Sequence, residues 1–337
     1  MKIKKRYFIP LALIILAAIT AVVAFFWYNE NTKPVSADKN TVEFVVPKGR
    51  SAVQIANLLY ENKLIRSPLA FKIYVQLNGK SQSIQAGEFK LSPSQNLREI
   101  VNDLMKGPLE LWVTIPEGLR REEVVERYVK SLEMTEAQAD QFRNEFLLET
   151  KDIEGHLFPD TYLFPRDVTA AKVISVMNNT FNKKIDEIGA KNSPDLTVEA
   201  IVVLASIIER ETKTDAERPI VAGILNNRLE IGMALQTDAT VQYAVASAKC
   251  RAQSAKCENW WPVLTRDDLQ VESPFNTYKY NGLPPAPIAN PGLSSLKAAF
   301  QPTESEYLYY IHDPDGNIHY AKTLPEHNEN VRKYLGK

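Results

Sequence analysis

Cysteine and histidine are scarce: the 337 residues hold two of the first and four of the second. A scaffold built on many disulfides is excluded. His156, His312, His319 and His327 fall at no metal-ligand spacing, so no metal is expected. An excess of one charge is lacking too. Lys+Arg 40 against Asp+Glu 41 gives a formal net charge of −1, with no long basic stripe to displace counterions from a phosphate backbone, which excludes nucleic acid as a partner. What is present is a globular composition, 45% apolar and 24% charged, in a chain long enough for two domains.

The basic residues cluster once, at the start. Lys2, Lys4, Lys5 and Arg6 precede a charge-free stretch from Tyr7 to Tyr28, long enough as a helix to cross a hydrocarbon core. Positive charge before the span sets residues 1–6 as a cytoplasmic tail, 7–28 as a single transmembrane helix with Trp27 and Tyr28 at the far interface, and the rest outside. A cleaved signal peptide is the competing account, with Val35-Ser36-Ala37 as its cleavage site, but the apolar core is too long and the site too distant. In an oxidising compartment Cys250 and Cys257 are a candidate disulfide, with metal binding the weaker alternative.

Residues 29–40 are polar and suit a tether. Folded structure is expected from residue 41: a strand at Val42 to Val46, a helix capped by Ser51, a helix opened by Ser67-Pro68, a strand at Ala86 to Leu91 and a helix from Leu97 to Met105. Val46-Pro47-Lys48-Gly49 then recurs as Ile115-Pro116-Glu117-Gly118, each followed by an apolar helix face, which places a boundary near Gly107-Pro108 and divides the chain into 41–108 and 109–337. The second part is expected to hold helices at 122–132, 135–150, 170–188 and 197–211, a Pro- and Gly-rich region up to Gly292, and short strands between Tyr307 and His319. The fold class is α+β.

The helix ending at 211 carries the strongest chemical signal. Ala200 to Ile208 is apolar but for one hydroxyl, then stops at Glu209-Arg210-Glu211-Thr212 after the turn Ser193-Pro194-Asp195 and the cap candidate Thr197. Glu209 emerges where core meets solvent, at the negative end of the helix dipole and beside apolar surface. Both effects disfavour ionisation, as a general acid requires. The alternative is a glutamate that only solvates a helix end. Turn-rich stretches at Glu154 to Tyr162, Leu235 to Tyr243, Pro274 to Tyr278 and Gly282 to Ile288 offer further polar groups.

Taken in order, E-G-H-L-F-P-D-T-Y, A-S-I-I-E-R-E-T, N-R-L-E-I-G-M-A-L-Q-T-D-A-T-V, P-F-N-T-Y, G-L-P-P-A-P-I-A-N-P-G and H-N-E-N-V-R-K-Y resemble the endolytic murein transglycosylases, the YceG-like family, over about Val42 to Leu335. The resemblance implies one membrane span, a LysM-like module, a catalytic domain on the outer side of the bacterial inner membrane, and Glu209 as the catalytic residue. It implies cleavage of the MurNAc-GlcNAc bond of nascent peptidoglycan strands by the muramic acid C6 hydroxyl, leaving 1,6-anhydroMurNAc ends and stopping strand elongation. One carboxyl then suffices, donating a proton to the glycosidic oxygen and accepting one from the C6 hydroxyl, with no cofactor. Gln236, Asp238, Asn276 and Tyr278 are expected to position glycan groups, and Tyr243, Trp260 and Trp261 are stacking candidates, with core the favoured assignment for the tryptophans. Glu211, about 200° around the helix from Glu209, is supporting or structural. The stretch Ala246 to Trp261 departs from the family pattern. Penicillin-binding synthases are candidate partners. A wall-binding scaffold and a hydrolase pairing Glu209 with Asp238 are the other readings.

Overall fold

The computed structural model describes residues 8–47, 49–79, 84–107, 110–192, 196–253 and 259–336. Basic residues 2–6 and Tyr7, Lys48, Pro108, the turn Ser193-Pro194-Asp195 and Cys257 lie outside them. The chain divides into two compact units, Met1–Trp112 with Leu163–Arg166, and Val113–Tyr162 with Asp167–Lys337.

The first unit opens with α1 (Phe8–Asn31), whose apolar side chains from Leu13 to Phe26 are exposed all round. That surface suits hydrocarbon, and the segment Leu13–Asn31 is long and apolar enough to cross a membrane. Beyond it the expected tether is fastened down rather than free. Glu30 pairs with Lys33 and Arg66 at 2.6 and 3.1 Å, the Val35 and Ser36 N–H groups donate to Pro93 O, and Leu97 N–H donates to Thr32 O. Strand β1 (Val42–Val46) pairs antiparallel with β2 (Gly87–Leu91), Val42 opposite Leu91 and Val46 opposite Gly87. Helices α2 (Ala52–Glu61), α3 (Pro68–Leu77) and α4 (Leu97–Lys106) start at Ser51, Ser67 and Asn96, each accepting a hydrogen bond from an N–H of the first turn. Phe44, Val46, Ile55, Leu59, Phe71, Val75, Phe89, Leu91, Ile100 and Leu104 close the core between them. The sheet continues β1-β2-β3-β4 through β3 (Glu110–Thr114) and β4 (Thr161–Pro165).

The recurrent Pro-x-Gly motif has a structural meaning. After β1 and again after β3 the chain turns through a glycine of positive φ, Gly49 at 79° and Gly118 at 76°, and enters a helix, α2 in the first case and α5 (Arg121–Ser131) in the second. The second turn sets Glu117 at its apex.

The second unit is mainly helical: α5, α6 (Glu136–Glu149), α7 (Ala170–Glu187), α8 (Val198–Glu211), α9 (Arg218–Glu230), α10 (Asp238–Gln253) and α11 (Leu293–Phe300), then the antiparallel hairpin of β5 (Tyr309–His312) and β6 (Ile318–Ala321), and α12 (Leu324–Leu335). Helix α8 is its core, with every residue from Ile201 to Ile208 buried and α9, α10 and α11 packed around it. Its single hydroxyl, Ser206, is fully buried, donates to Val203 O and accepts Ile288 N–H at 3.0 Å, pinning the Pro-rich loop to the helix. Helices α9 and α10 occupy the region expected to be Pro- and Gly-rich. Between 212 and 260 only Pro219, Gly223 and Gly232 are of those types, and Pro219 sits in the first turn of α9, where its missing N–H costs nothing.

Gly223 marks where α9 is tightly crossed, since a Cβ there would lie 2.1 Å from Thr303 O. Alanine in an open helix position gains stability, but here Gly223→Ala should cost about 1–3 kcal/mol. Chemical denaturation checks this, and a stabilised variant would contradict the packing.

Candidate active site

Glu209 lies in the last turn of α8, two residues before its end, and its side chain is only 6% exposed. It does not meet the apolar surround expected for it. The Arg218 guanidinium donates to Oε1 at 2.9 Å, while Gly292 N–H and the Ser295 hydroxyl donate to Oε2 at 3.0 and 2.8 Å. Gly292 is the N-cap and Ser295 lies in the first turn of α11, so the carboxylate satisfies the free donors at the positive end of one helix while standing at the negative end of another. A carboxylate offers about four lone-pair positions. Three are filled by these donors, which leaves one on Oε1.

Arg218 opens α9 and is itself 10% exposed, paired with Asp215 as well as Glu209 and 3.6 Å from Glu117 Oε2. Burial, and next the charge of Glu209, hold the Glu117 carboxyl above the usual range. Behind them Asn290 is fully buried and ties three motifs together. It accepts Leu157 N–H at 2.9 Å and donates to Leu119 O at 3.0 Å and Glu154 Oε1 at 2.8 Å. Glu154, also held by Arg121 N–H, is pushed up to about 8, chiefly by burial and then by Glu122. None of Glu117, Arg218, Asn290, Gly292 and Ser295 was singled out in the sequence as a site residue. The I-P-E-G turn and the N-P-G end of the Pro-rich loop were signals for three of them; Arg218 and Ser295 had none.

Glu211 faces away from Glu209, as the helix geometry requires. It is half-buried, accepts the Tyr310 hydroxyl at 2.8 Å and meets Ala239 N–H in the first turn of α10 at 3.5 Å. Burial raises both Glu211 and Tyr310, and the structural role is the one its contacts support. The two carboxyls of E-R-E thus reach two different helix N-termini. Arg210 between them stacks on Trp261 at 3.8 Å, and the Trp261 indole donates to Glu123 at 3.0 Å.

The Q-T-D and N-T-Y motifs are clipped together by three buried hydroxyls, Thr240 to Thr277 at 2.8 Å and Thr237 to Thr277 at 3.2 Å. Gln236 is exposed with φ of 51°, a left-handed conformation costly for a non-glycine residue, and its N–H donates to Thr277 O at 3.0 Å. Asp238 is exposed and accepts the Tyr278 hydroxyl at 2.7 Å, and burial then this carboxylate raise the phenol. Asn276 departs from expectation. It is 0% exposed, its amide donating to Leu269 O and Val271 O while its oxygen accepts Tyr278 N–H, so it builds the loop and offers nothing to a ligand. Tyr243, pushed up to about 12 by burial, and Trp260 flank the Arg120 guanidinium at 4.1 and 4.4 Å. The tryptophans are half-buried cation partners. Cys250, in α10, is disulfide-bonded. A cavity of about 680 Å³ is lined by Glu154, His156, Tyr243, Phe275 and Pro287 among others, and not by Glu209. No group of metal-holding residues occurs among the described residues.

The family model of the YceG-like family matches residues 44–333. The chain belongs to that family. Among YceG-like relatives, an endolytic murein transglycosylase of Bacillus subtilis is 33% identical over 93% of this chain and 90% of its own length. One of Streptococcus pneumoniae is 25% identical over 96% of this chain, which spans 65% of that longer protein. The crystal structure of a yceG-like protein of Listeria monocytogenes matches with a TM-score of 0.53 and 31% identity, over 87% of this chain and 99% of the other.

The filled amide of Asn276 gives a direct check on its role. Asn276→Ala should lower stability by about 2–3 kcal/mol, because two partly buried carbonyls and one N–H lose partners, and should leave the KM for glycan unchanged in the folded fraction. A raised KM at unchanged melting temperature would return Asn276 to the binding surface.

Proposed function

We propose that this chain is an endolytic murein transglycosylase, a lyase that cuts peptidoglycan glycan strands, with Glu209 as the group that exchanges protons with the substrate. The carrying observation is the carboxyl group held at three lone pairs by Arg218, Gly292 and Ser295 with one position on Oε1 left over. The relatives' name, endolytic murein transglycosylase, supplies the reaction class.

Protonated at Oε1, Glu209 donates to the glycosidic oxygen of the MurNAc-GlcNAc bond. As the bond opens it takes the proton of the muramic acid C6 hydroxyl, which attacks the anomeric carbon and closes a 1,6-anhydro ring. Atoms balance without water, and the low exposure of Glu209 keeps water from competing. Gln236, Asp238 and Tyr278 position sugar hydroxyls and acetamido groups, and Tyr243 offers a stacking face. The apolar α1 anchors the protein in the bacterial inner membrane with the catalytic unit outside, the small unit grips glycan as a LysM-like module, and penicillin-binding synthases supply the nascent strands that cleavage terminates. Closure of a Cys250 to Cys257 bridge fits that oxidising location.

Glu209→Gln keeps the size and the acceptor for α11 but cannot carry the proton. Turnover of uncrosslinked glycan should fall by about 10²–10⁴-fold, with the far-UV spectrum unchanged and a lower melting temperature from the altered Arg218 contact. Wild-type turnover in a folded Glu209→Gln protein would overturn the assignment.

A further inference from the structure

We infer that Glu117 and Glu209 form a carboxyl pair that holds one proton across Arg218, with Glu117 the positioning residue that keeps this proton available to Glu209. The inference rests on the transglycosylase reading, which needs only Glu209.

Three observations place the two groups together. Arg218 Nη2 lies 2.9 Å from Glu209 Oε1 and 3.6 Å from Glu117 Oε2, so one guanidinium nitrogen serves both. A Cβ on Gly292 would fall 1.9 Å from Glu117 Oε1, so Glu117 lies directly over the residue whose N–H holds Glu209. A Cβ on Gly118 would fall 3.4 Å from Glu209 Cγ, so the turn that carries Glu117 runs against the Glu209 side chain. Exposure then divides the pair. Glu117 is 46% exposed and Glu209 6%, which sets Glu117 on the solvent side.

The surrounding charges favour keeping one proton. Three carboxyls, Glu117, Glu209 and Asp215, gather on the single guanidinium of Arg218. Helix α11 faces the pair with Gly292 N–H and the Ser295 hydroxyl, and the other nearby cation, Arg210, is turned to Gly118 O at 3.5 Å and stacked on Trp261. Burial and the Glu209 charge raise Glu117, with Arg218 opposing and Asp215 reinforcing. Two adjacent carboxyls resist losing both protons, so the last one leaves the pair at higher pH than it would leave a lone group. With glutamine at 117 the repulsion is gone and Arg218 is undivided. The last proton then leaves at lower pH, and the acid form is lost sooner as pH rises.

The test is the pH dependence of kcat/KM for the full chain on uncrosslinked glycan. In Glu117→Gln the alkaline limb should move down by about 1 pH unit or more, while Glu117→Asp, which keeps the charge, should leave it near the wild-type position. A purely structural Glu117 would lower the rate at every pH and leave the limb in place, and that outcome overturns the inference alone. A wild-type enzyme that forms no anhydro ends overturns the function and the inference with it. Should Glu117→Gln fail to fold, ¹³C titration of wild-type glutamate carboxyls decides. One member of the pair titrating clearly above the ordinary range supports the pair, and both titrating within it contradicts it.

Discussion

The site depends on one contact, the carboxylate of Glu209 closing the N-terminus of α11. It joins the apolar α8 to the helix that follows the Pro-rich loop, and it fixes where Gly292, and with it Asn290 and the loop, must lie. A helix N-terminus needs an acceptor and a buried carboxylate needs donors, so each removes the other's desolvation cost. Arg218 completes the arrangement by adding a full positive charge at Oε1. Glu209 therefore has a structural role whatever its chemistry, and the geometry of its carboxyl group is set by the fold.

The E-x-E spacing gains a physical reason from this. Residues two apart on a helix point to nearly opposite sides, and at the end of α8 those sides face the first turns of α11 and α10. Glu209 shares Arg218 with Glu117, while Glu211 accepts the Tyr310 hydroxyl. The partner that a two-carboxylate hydrolase would use is not well served by this layout. Asp238 belongs with Tyr278, on the side of Glu211, and shares no hydrogen-bond partner with Glu209 among the described residues.

Local signals carried much of the fold. Ser51, Ser67 and Thr197 cap helices as their positions imply, because capping is decided within one turn. Glu209 was legible for the same kind of reason, an apolar run that stops at a carboxyl. Its environment was not, since Arg218, Gly292 and Ser295 come from distant segments whose approach no local pattern records. The helix dipole at the end of α8 could be read from the sequence, whereas the start of α11, which faces the same carboxyl, could not. Asn276 was misplaced because a polar residue in a turn looks the same whether its amide faces a sugar or two backbone carbonyls of its own loop. Helices α9 and α10 were hidden by attention to the prolines that cluster only after 261.

The central claim is that a carboxyl with one free lone pair moves the proton of an internal nucleophile, and water plays no part. Digestion of uncrosslinked glycan in ¹⁸O-labelled water tests this most directly. The account predicts new muramic ends that carry no ¹⁸O and are about 18 Da lighter than hydrolytic ends, because closure of the anhydro ring adds no water. Reducing ends labelled with ¹⁸O would contradict it and make water the nucleophile.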